Sequence, residues 1–554
     1  MTSRRIVAIA LLSAGLAMGS GALARANKPV PPAKAVKQAE TNLKRLIKEG
    51  EDRPSVYEAR LQLVAALRQL DSCDVNDRVD AELAKVTSWV ERIGVPVRVD
   101  PQVVYNELGR AGQKRAGCSD DEAQKRTHHE AALRAFERAR EAAKQNNDAL
   151  NQAIVLYNAA ASAEALGDLP QAIALLEQAC AVDREYALNE NYMEDYRELV
   201  RLKDEKNGVE TPPEAIEQHL ASLHEVKVAL AFKPVHGEKR RYRGEMRKVT
   251  LADGQRQEQI MDVQYSEIMT VKDDLVTVAI DPSDSKVSGR DAQSAAKNGA
   301  VDAQTLMAQL LAQPLSYTVK TSGEFVGATG LDEVRRIVLA KMDETFAASE
   351  DAERRAGARR IVEQVLSDAV VNQQIADDWA MTVGFWVGAE LDMGDWYTLD
   401  VQAPQPLLPS STLKYTYSFK VNRRVACDAR DAKKSCVELI IEGSPDREQF
   451  ADYMVATMKQ LIGKLPRKQV RWFRARLAED AEMVQRHVLV VDPATLRTHR
   501  QLKTKRTYVA AFQSGGQPRI EQETDISELQ PPAAPNTAQT PARPNRGSGA
   551  RAKK

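Results

Sequence analysis

Three adjacent residues, His128, His129 and Glu130, form the densest group of potential metal ligands in the chain. Neighbouring side chains on a helix point about 100° apart, so these three cannot surround one ion as ligands four residues apart can. His219 and His224 lie close together in the sequence, but no third ligand stands beside them. We therefore interpret the histidine cluster as the solvated start of a helix, and we predict neither a bound metal nor a cofactor.

Motifs for other kinds of chemistry do not occur in the sequence, which has no G-x-S-x-G nucleophile elbow, no P-loop and no C-x-x-C pair. The segments 377–379 (DDW) and 394–396 (GDW) place acids beside aromatic rings, as sugar-cleaving sites do. Acids that act as a pair must be close in space, however, and a sequence does not show this. We expect Trp386 and Trp396 to pack between a helix and a sheet. We predict that the protein is not an enzyme, with an enzyme of unrecognised type as the remaining alternative.

The five cysteines offer one natural pairing in the C-terminal half. Cys427 and Cys436 flank the polar segment DARDAKKS after a strand-like run, so we predict a disulfide across a hairpin loop. Cys73 and Cys118 both lie in the helical half and form a second candidate pair. Cys180 is then left over on the apolar face of a helix, where we expect a buried thiol.

The first 26 residues have the pattern of a secretory signal. Arg4 and Arg5 precede an apolar stretch, and Ala24-Arg25-Ala26 fits a small-x-small cleavage site. No later segment approaches the roughly 20 apolar residues of a membrane span. We predict cleavage after Ala26 and a periplasmic location, which is an environment that permits disulfides.

The composition indicates a folded protein and argues against a nucleic-acid binder. Hydrophobic residues make up 43% of the chain and charged residues 28%, and the 78 basic residues are balanced by 78 acidic ones. A chain without excess positive charge has no general attraction for nucleic acids or anionic membranes. The length of 554 residues predicts about three domains at roughly 150 residues each.

From residue 27 to 221 the apolar residues recur with a helical period, which predicts helices at 33–50, 56–70 and 79–93. In the following part, a small, a bulky and a second small residue recur at i, i+4 and i+7. This spacing lets one helix pack closely against the next. The predicted packing and turn residues are Asn158, Gly167, Ala172, Leu176 and Ala179 and, upstream, Ala132, Phe136 and Ala139.

This pattern resembles the tetratricopeptide repeat, in which helix pairs stack into an array that binds peptides or proteins. The segment 158–184 carries the resemblance, although Arg184 stands where the repeat usually has proline. The resemblance implies a repeat array over residues 27–221, with a binding groove lined by helices such as 151–166. An ordinary helical bundle with alanine-rich contacts is the alternative.

Near residue 222 the apolar period changes to two, which predicts β-strands. The predicted strands are 226–232, 249–251, 261–265, 276–280, 415–421, 437–441, 487–491 and 507–512, with a hairpin at 315–326. We expect the strand 276–280 to end at Asp281-Pro282. We also predict a helical insert at 331–385, an amphipathic helix at 450–462, and two similar halves at about 222–330 and 386–530.

Two segments of this region, 237–246 (GEKRRYRGEM) and 322–334 (SGEFVGATGLDEV), are similar to segments that recur in a family of bacterial envelope proteins of unknown function. The resemblance implies a sheet that curves around its helix, as in periplasmic lipoprotein carriers. The shared segments are strand and turn patterns, so they imply no catalytic residue.

Together these observations predict an α+β multidomain protein, with a tetratricopeptide-like helical array (27–221) followed by an antiparallel β-rich region with packed helices (222–530), whose sheet is curved like half a barrel. The proline-rich, basic tail at 531–554 is expected to be disordered. The predicted function is that of a scaffold that binds an envelope protein or peptide through its helices. The alternative is a carrier that holds a hydrophobic ligand, a lipid or a lipoprotein, in an apolar cavity between the sheet and the helix at 450–462.

Overall fold

The structure is a computed structural model of the 554-residue chain. It describes residues 31–530 apart from gaps at 49, 52, 71, 94–98, 147, 222–225, 253–254, 292–302, 347–358, 360–361, 406–407, 429–434, 463–465 and 510–518. The predicted signal sequence and the predicted tail lie outside the described residues. Across the described ranges, no helix is long and apolar enough to span a membrane.

The N-terminal part consists of helices joined by short turns. These helices are α1 (Pro32–Lys48), α2 (Pro54–Arg68), α3 (Asn76–Ile93), α4 (Pro101–Cys118), α5 (Glu122–Gln145), α6 (Ala149–Ala165), α7 (Leu169–Tyr186), α8 (Asn189–Asn207) and α9 (Pro213–Ala221). From α1 to α8 each helix contacts the next, and α6 also contacts α4 and α8. The helices from α2 onward therefore form a row of adjacent helix pairs.

Capping residues fix where these helices begin. Asp121, Asp148 and Asp168 directly precede α5, α6 and α7, and each carboxylate accepts a backbone N–H of the first turn. Pro101 occupies the first turn of α4, where the missing N–H costs no hydrogen bond. Gly167 has a φ of 77° in the turn between α6 and α7, a conformation that glycine adopts without strain.

The residues in the predicted packing positions lie in the seams between these helices. Ala132, Phe136, Ala139, Ala172, Leu176 and Ala179 are all buried. Gly109 of α4 lies so close to the ring of Phe136 that a Cβ added there would stand 2.3 Å from the ring carbon Cε1. An array and a bundle both bury such residues, so the repeat assignment stays a prediction.

Residues after 226 form the strands and the remaining helices. The strands are β1 (Lys227–Ala229), β2 (Lys239–Ala252), β3 (Gln255–Lys272), β4 (Leu275–Asp291), β5 (Ser316–Lys320), β6 (Phe325–Thr329), β7 (Glu390–Asp392), β8 (Tyr397–Gln405), β9 (Leu408–Val425), β10 (Cys436–Pro445), β11 (Glu482–Asp492), β12 (Arg497–Val509) and β13 (Arg519–Leu529). The helices are α10 (Ala303–Leu311), α11 (Leu331–Phe346), α12 (Asp368–Thr382), α13 (Arg447–Ile462) and α14 (Arg467–Asp480).

Within the described residues, eleven of these strands form one open antiparallel sheet in the order β6-β5-β4-β3-β2-β13-β12-β11-β10-β9-β8. Strands of both predicted halves therefore belong to a single sheet, and β1 pairs with β7 outside it. The predicted α+β class, with helices first and an antiparallel sheet after them, is confirmed. The division into domains and similar halves stays a prediction.

The strands differ from the sequence predictions in their extent. The prediction that a strand ends at Asp281-Pro282 is wrong, because β4 continues to Asp291. The register shifts at this point, with Ser266 opposite Asp281 and Gln264 opposite Lys286, so the proline lies in a bulge that needs no ladder N–H. The predicted strand at 507–512 begins earlier, at Arg497, and its last residues lie outside the described ones. We did not predict β8, although Tyr397, Leu399 and Val401 alternate with polar residues in it. We also did not predict β13 and α14, whose many polar residues obscure the period.

One face of the sheet, which we call the inner face, is covered by the helices of the C-terminal part. Leu439 of β10 and Leu489 of β11 share one buried cluster with Leu310 of α10, Ile375 of α12 and Trp386. Helix α13 packs farther along the same face, beside Leu413 of β9 and Met483 of β11. These two groups of helices cover different parts of the inner face.

The outer face of the sheet carries the helical region. Tyr508 of β12 and Ile520 of β13 form a buried cluster with Tyr57, Trp89 and Val104 of α2, α3 and α4. Polar contacts extend this interface, because Arg486 of β11 donates to the carbonyl of Asn146 and Arg423 of β9 pairs with Glu185.

The residues that reach the sheet lie at one edge of the array, in or near the turns that enter α2, α4, α6 and α8. Asn146 lies in the turn before α6, and Glu185 lies in the last turn of α7. The opposite edge, which includes Gly167 and the Cys73–Cys118 disulfide, is one helix length away, about 25 Å for such helices. The array therefore contacts the sheet through one edge only, and the sheet does not cover the sides of the array helices.

Candidate functional site

A groove lies between α6 and α8 on the helical array. Its volume is about 610 Å³, and its lining residues are Tyr157 of α6 and Met193, Glu194, Arg197, Glu198 and Arg201 of α8. Tyr157 belongs to the segment 151–166 that the sequence predicts to line a binding groove. Leu150 and Ile154, which lie on the same face of α6, are 43% and 36% exposed. The groove thus continues into an exposed apolar stripe.

Carboxylates surround the two guanidinium groups of the groove. Arg197 donates to Glu217 at 3.0 Å, and Arg201 donates to Glu164 at 2.6 Å. The hydrogen bonds that Arg201 donates to Glu198 and Glu164 raise the pKa of its guanidinium. Glu198 and Glu205 also pair with Arg201, and Glu194 is exposed on the rim. The groove is therefore acidic, with apolar surface supplied by Tyr157 and Met193.

A buried acid pair lies on the other side of α8. Asp183 of α7 is fully buried and Asp195 of α8 is 5% exposed. Burial raises the pKa of both carboxyls, and the Asp195 charge raises that of Asp183 further. No described donor reaches either Asp183 oxygen. Two carboxylates in this position are stable only when they share a proton.

A second group of candidate residues lies where α12 meets the inner face of the sheet. Asp377 of α12 is exposed, yet the protein atoms around it raise the pKa of its carboxyl to about 6. Tyr415 and Tyr417 of β9 lie close enough to Asp377 for its charge to raise their pKa values. Tyr415 is buried in a cluster with α13, whereas Tyr417 is half-buried. An acidic group therefore lies beside one partly accessible aromatic ring.

The inner-face strands near Asp377 carry charged side chains. Lys503 of β12 pairs with Asp378 at 3.1 Å, and Lys248 of β2 pairs with Glu523 of β13 at 3.2 Å. Burial lowers the pKa of Lys505, which lies between these two pairs. This part of the inner face is polar, unlike the apolar cavity that the carrier interpretation predicts.

The contacts of helix α13 also bear on the carrier interpretation, which expects an apolar cavity between this helix and the sheet. Its Phe450 and Met454 are buried and pack directly against Leu413 of β9 and Leu477 of α14. Phe450 and Met454 are thus occupied by contacts within the protein.

Both predicted disulfides are formed. Cys73 and Cys118 join the turn between α2 and α3 to the end of α4, and Cys427 and Cys436 join the ends of β9 and β10. Cys180 is free and buried, as expected. Burial also lowers the pKa of His499, a residue close to the second disulfide.

The tryptophan prediction is right for one residue and wrong for the other. Trp386 is fully buried and its ring meets Phe419 edge to face. Trp396 is 47% exposed, because it lies on the outer face of the sheet. There the Lys420 Nζ lies 4.8 Å from the centre of its ring. His219 donates to or accepts from the Tyr192 hydroxyl at 3.0 Å, whereas His224 lies outside the described residues.

The structure brings some predicted residues together and adds others. Asn158 bonds to Asn106 of α4, so it joins α6 to its neighbouring array helix. The groove residues of α8 fall in a segment in which the sequence analysis predicted no packing or binding residue. Nothing local distinguishes Asp183 from a solvated acid, because its burial depends on α8.

Comparison with known proteins adds little to this description. No protein-family model matches the chain, and no curated protein matches it. Among solved structures, the chain is similar to one described as lipid-protein interactions in lipovitellin, at 9% identity and a TM-score of 0.26. The match covers 55% of this chain and 26% of that chain, so this chain spans about a quarter of the lipovitellin length. Neither fold nor function is transferred from a likeness of this size.

Proposed function

We propose that this protein is an exported scaffold that binds a peptide segment of a cell-envelope protein in the groove between α6 and α8. The observation that carries the proposal is the groove itself, which coincides with the array helix that the sequence predicts to bind a partner. The tetratricopeptide resemblance supports the same role. Two disulfides and the export signal in the sequence support a periplasmic location.

The position of the array supports binding at this place. One edge of the array is held by the sheet, so α6 and α8 are fixed relative to each other before a partner arrives. A preformed groove spares the partner the entropy cost of ordering it. The exposed Leu150 and Ile154 extend the apolar surface beyond the groove.

The chemistry of the groove defines the partner. Tyr157 and Met193 suit a bulky apolar side chain, while Glu194 and the carboxylates around Arg201 suit lysine or arginine. We therefore expect a peptide in which apolar residues alternate with basic ones. Acidic peptides of equal hydrophobicity should be rejected by charge repulsion.

The test uses the full mature chain and a peptide array with matched basic and acidic sequences. Binding of basic-apolar peptides should weaken strongly in Glu194→Lys and remain unchanged in Asp120→Lys, a charge reversal at an exposed turn outside the groove. Unchanged circular dichroism would exclude unfolding as the cause. Equal binding of acidic and basic peptides, or equal loss in both variants, would contradict the proposal.

The residues around Asp377 favour a second candidate, a carrier for an amphipathic ligand. The half-buried Tyr417 would contact an apolar chain, and the charged groups beside Lys503 would contact a polar end. A fluorescent single-chain amphiphile should bind the full chain and bind less tightly to Tyr417→Asp. Glu194→Lys should leave this binding unchanged, so the two candidate functions are separated by the same pair of variants.

A further inference from the structure

A disulfide and an imidazole lie together at the start of β10. The Cys427 and Cys436 sulfurs and a ring nitrogen of His499 are all within 4.8 Å of one another. Cys436 is buried, whereas Cys427 and His499 are half-buried. His499 is the extra residue of a bulge in β12, since Val490 pairs with Arg500 and Val491 with Thr498. Bulges of this kind redirect a side chain, here toward the disulfide.

We propose that reduction of the Cys427–Cys436 disulfide converts these three side chains into a binding site for one Zn(II) ion. Two thiolates and one imidazole are the donors that zinc prefers, and a water molecule completes the tetrahedron. This site is separate from the groove between α6 and α8 and from the residues around Asp377, so the proposal does not depend on the proposed function.

The geometry requires only a small rearrangement. Zinc–sulfur bonds of about 2.3 Å place two tetrahedral thiolates about 3.8 Å apart. The three donor atoms already lie within 4.8 Å, so the cleaved sulfurs need to separate only to this distance. Cys436 and His499 are held in the sheet by β10 and β12, which keeps two of the ligands in place without the disulfide.

The chemistry balances with a dithiol reductant. The reductant gives two electrons and two protons to the disulfide, is itself oxidised to a disulfide, and leaves two thiols on the protein. Zinc then binds both sulfurs as thiolates, and the two thiol protons pass to solvent.

The test is metal titration of the reduced full chain without oxygen, with Co(II) as a spectroscopic probe and Zn(II) as competitor. We expect thiolate-to-cobalt charge transfer and the visible bands of tetrahedral cobalt, both displaced by zinc. Cys427→Ser with Cys436→Ser should abolish the signal, and His499→Gln should weaken binding at least about tenfold. Cys73→Ser with Cys118→Ser should keep it.

A second measurement covers the case in which a variant does not fold. In the reduced wild-type chain, zinc should protect Cys427 and Cys436 from alkylation, as mapped by mass spectrometry, and leave Cys73 and Cys118 reactive. A reduced chain without cobalt bands overturns the proposal whether or not it stays folded. Unselective protection, or equal affinity in His499→Gln, also overturns it, because the metal would then bind to thiols in general.

Discussion

Replacing Asp183 with asparagine should make the helical array less sensitive to pH. In the wild-type protein, Asp183 and Asp195 are both buried, and burial raises the pKa of each carboxyl. The folded state therefore holds a proton that the unfolded chain, with carboxyl pKa values near 4, releases. The stability that this proton contributes is fully present below about pH 4, and it is lost as the pH rises from there through the raised pKa of the folded pair.

The size of the effect follows from the shift. Each unit by which folding raises a pKa costs about 1.4 kcal/mol once the pH exceeds the folded value. Burial raises the pKa of Asp183 to about 8, so the rise from pH 5 to pH 8 spans three units over which only the unfolded chain has released the proton, and it removes about 4 kcal/mol. In Asp183→Asn the amide donates to the Asp195 carboxylate, so no shared proton is needed and this loss should largely disappear.

Hydrogen exchange of the α7 and α8 amides is the appropriate assay, because it reports local opening in a multidomain chain. Opening should become easier from pH 5 to pH 9 in the wild type, after correction for intrinsic exchange rates, and much less so in Asp183→Asn. Glu205→Gln, at an exposed position of α8, is the control and should resemble the wild type. The same pH slope in Asp183→Asn and wild type would refute the shared-proton interpretation.

Three further predictions concern packing. Gly109→Ala should lower the free energy of unfolding by about 1–3 kcal/mol, because the new Cβ would stand 2.3 Å from the buried Phe136 ring. Gly117→Ala in the same helix meets nothing within 4 Å and should raise the free energy of unfolding by up to about 1 kcal/mol. Urea denaturation of both variants measures these changes. Arg53→Met removes the nearer of two cations from the buried Asp480 carboxylate, which lies 2.7 Å from the Arg53 Nε, and leaves Arg476 at 3.3 Å. It should cost about 3 kcal/mol, and a much smaller cost in the same assay would show that the pair adds little. Leu176→Asp places a charge in a fully buried seam and should cost about 4 kcal/mol or more, so an unchanged melting curve would contradict close helix stacking there.

The sequence predicted features that depend on local pattern. The helical period before residue 221, the alternation after it and the loop between Cys427 and Cys436 are all local, and the structure contains the corresponding helices, strands and disulfide. Strand β4 was predicted too short because proline usually ends a strand, and the bulge that accommodates Pro282 depends on the partner strand β3.

The functional sites depend on contacts between distant segments, which a local pattern does not contain. Asp183 is followed by Arg184 and Glu185, so in the sequence it belongs to an ordinary charged stretch. Helix α14 is similarly polar, and its buried Asp480 pairs with Arg53 from the other end of the chain. The sequence analysis did note the segment at 377–379 as acids beside a ring, but the neighbouring Tyr417 comes from β9.

The pairing of β2 with β13 has a consequence for how the chain folds. Tyr242 lies opposite Leu529, so the centre of the sheet joins the first long strand to the last one. Until β13 has paired with β2, the strands β2 and β12 each present an unpaired edge, and such edges recruit other strands. Contacts over so long a stretch of chain also form slowly. The two sides of the sheet are therefore separate and prone to aggregation early in folding, and their joining is a late step that the local Cys427–Cys436 disulfide can precede.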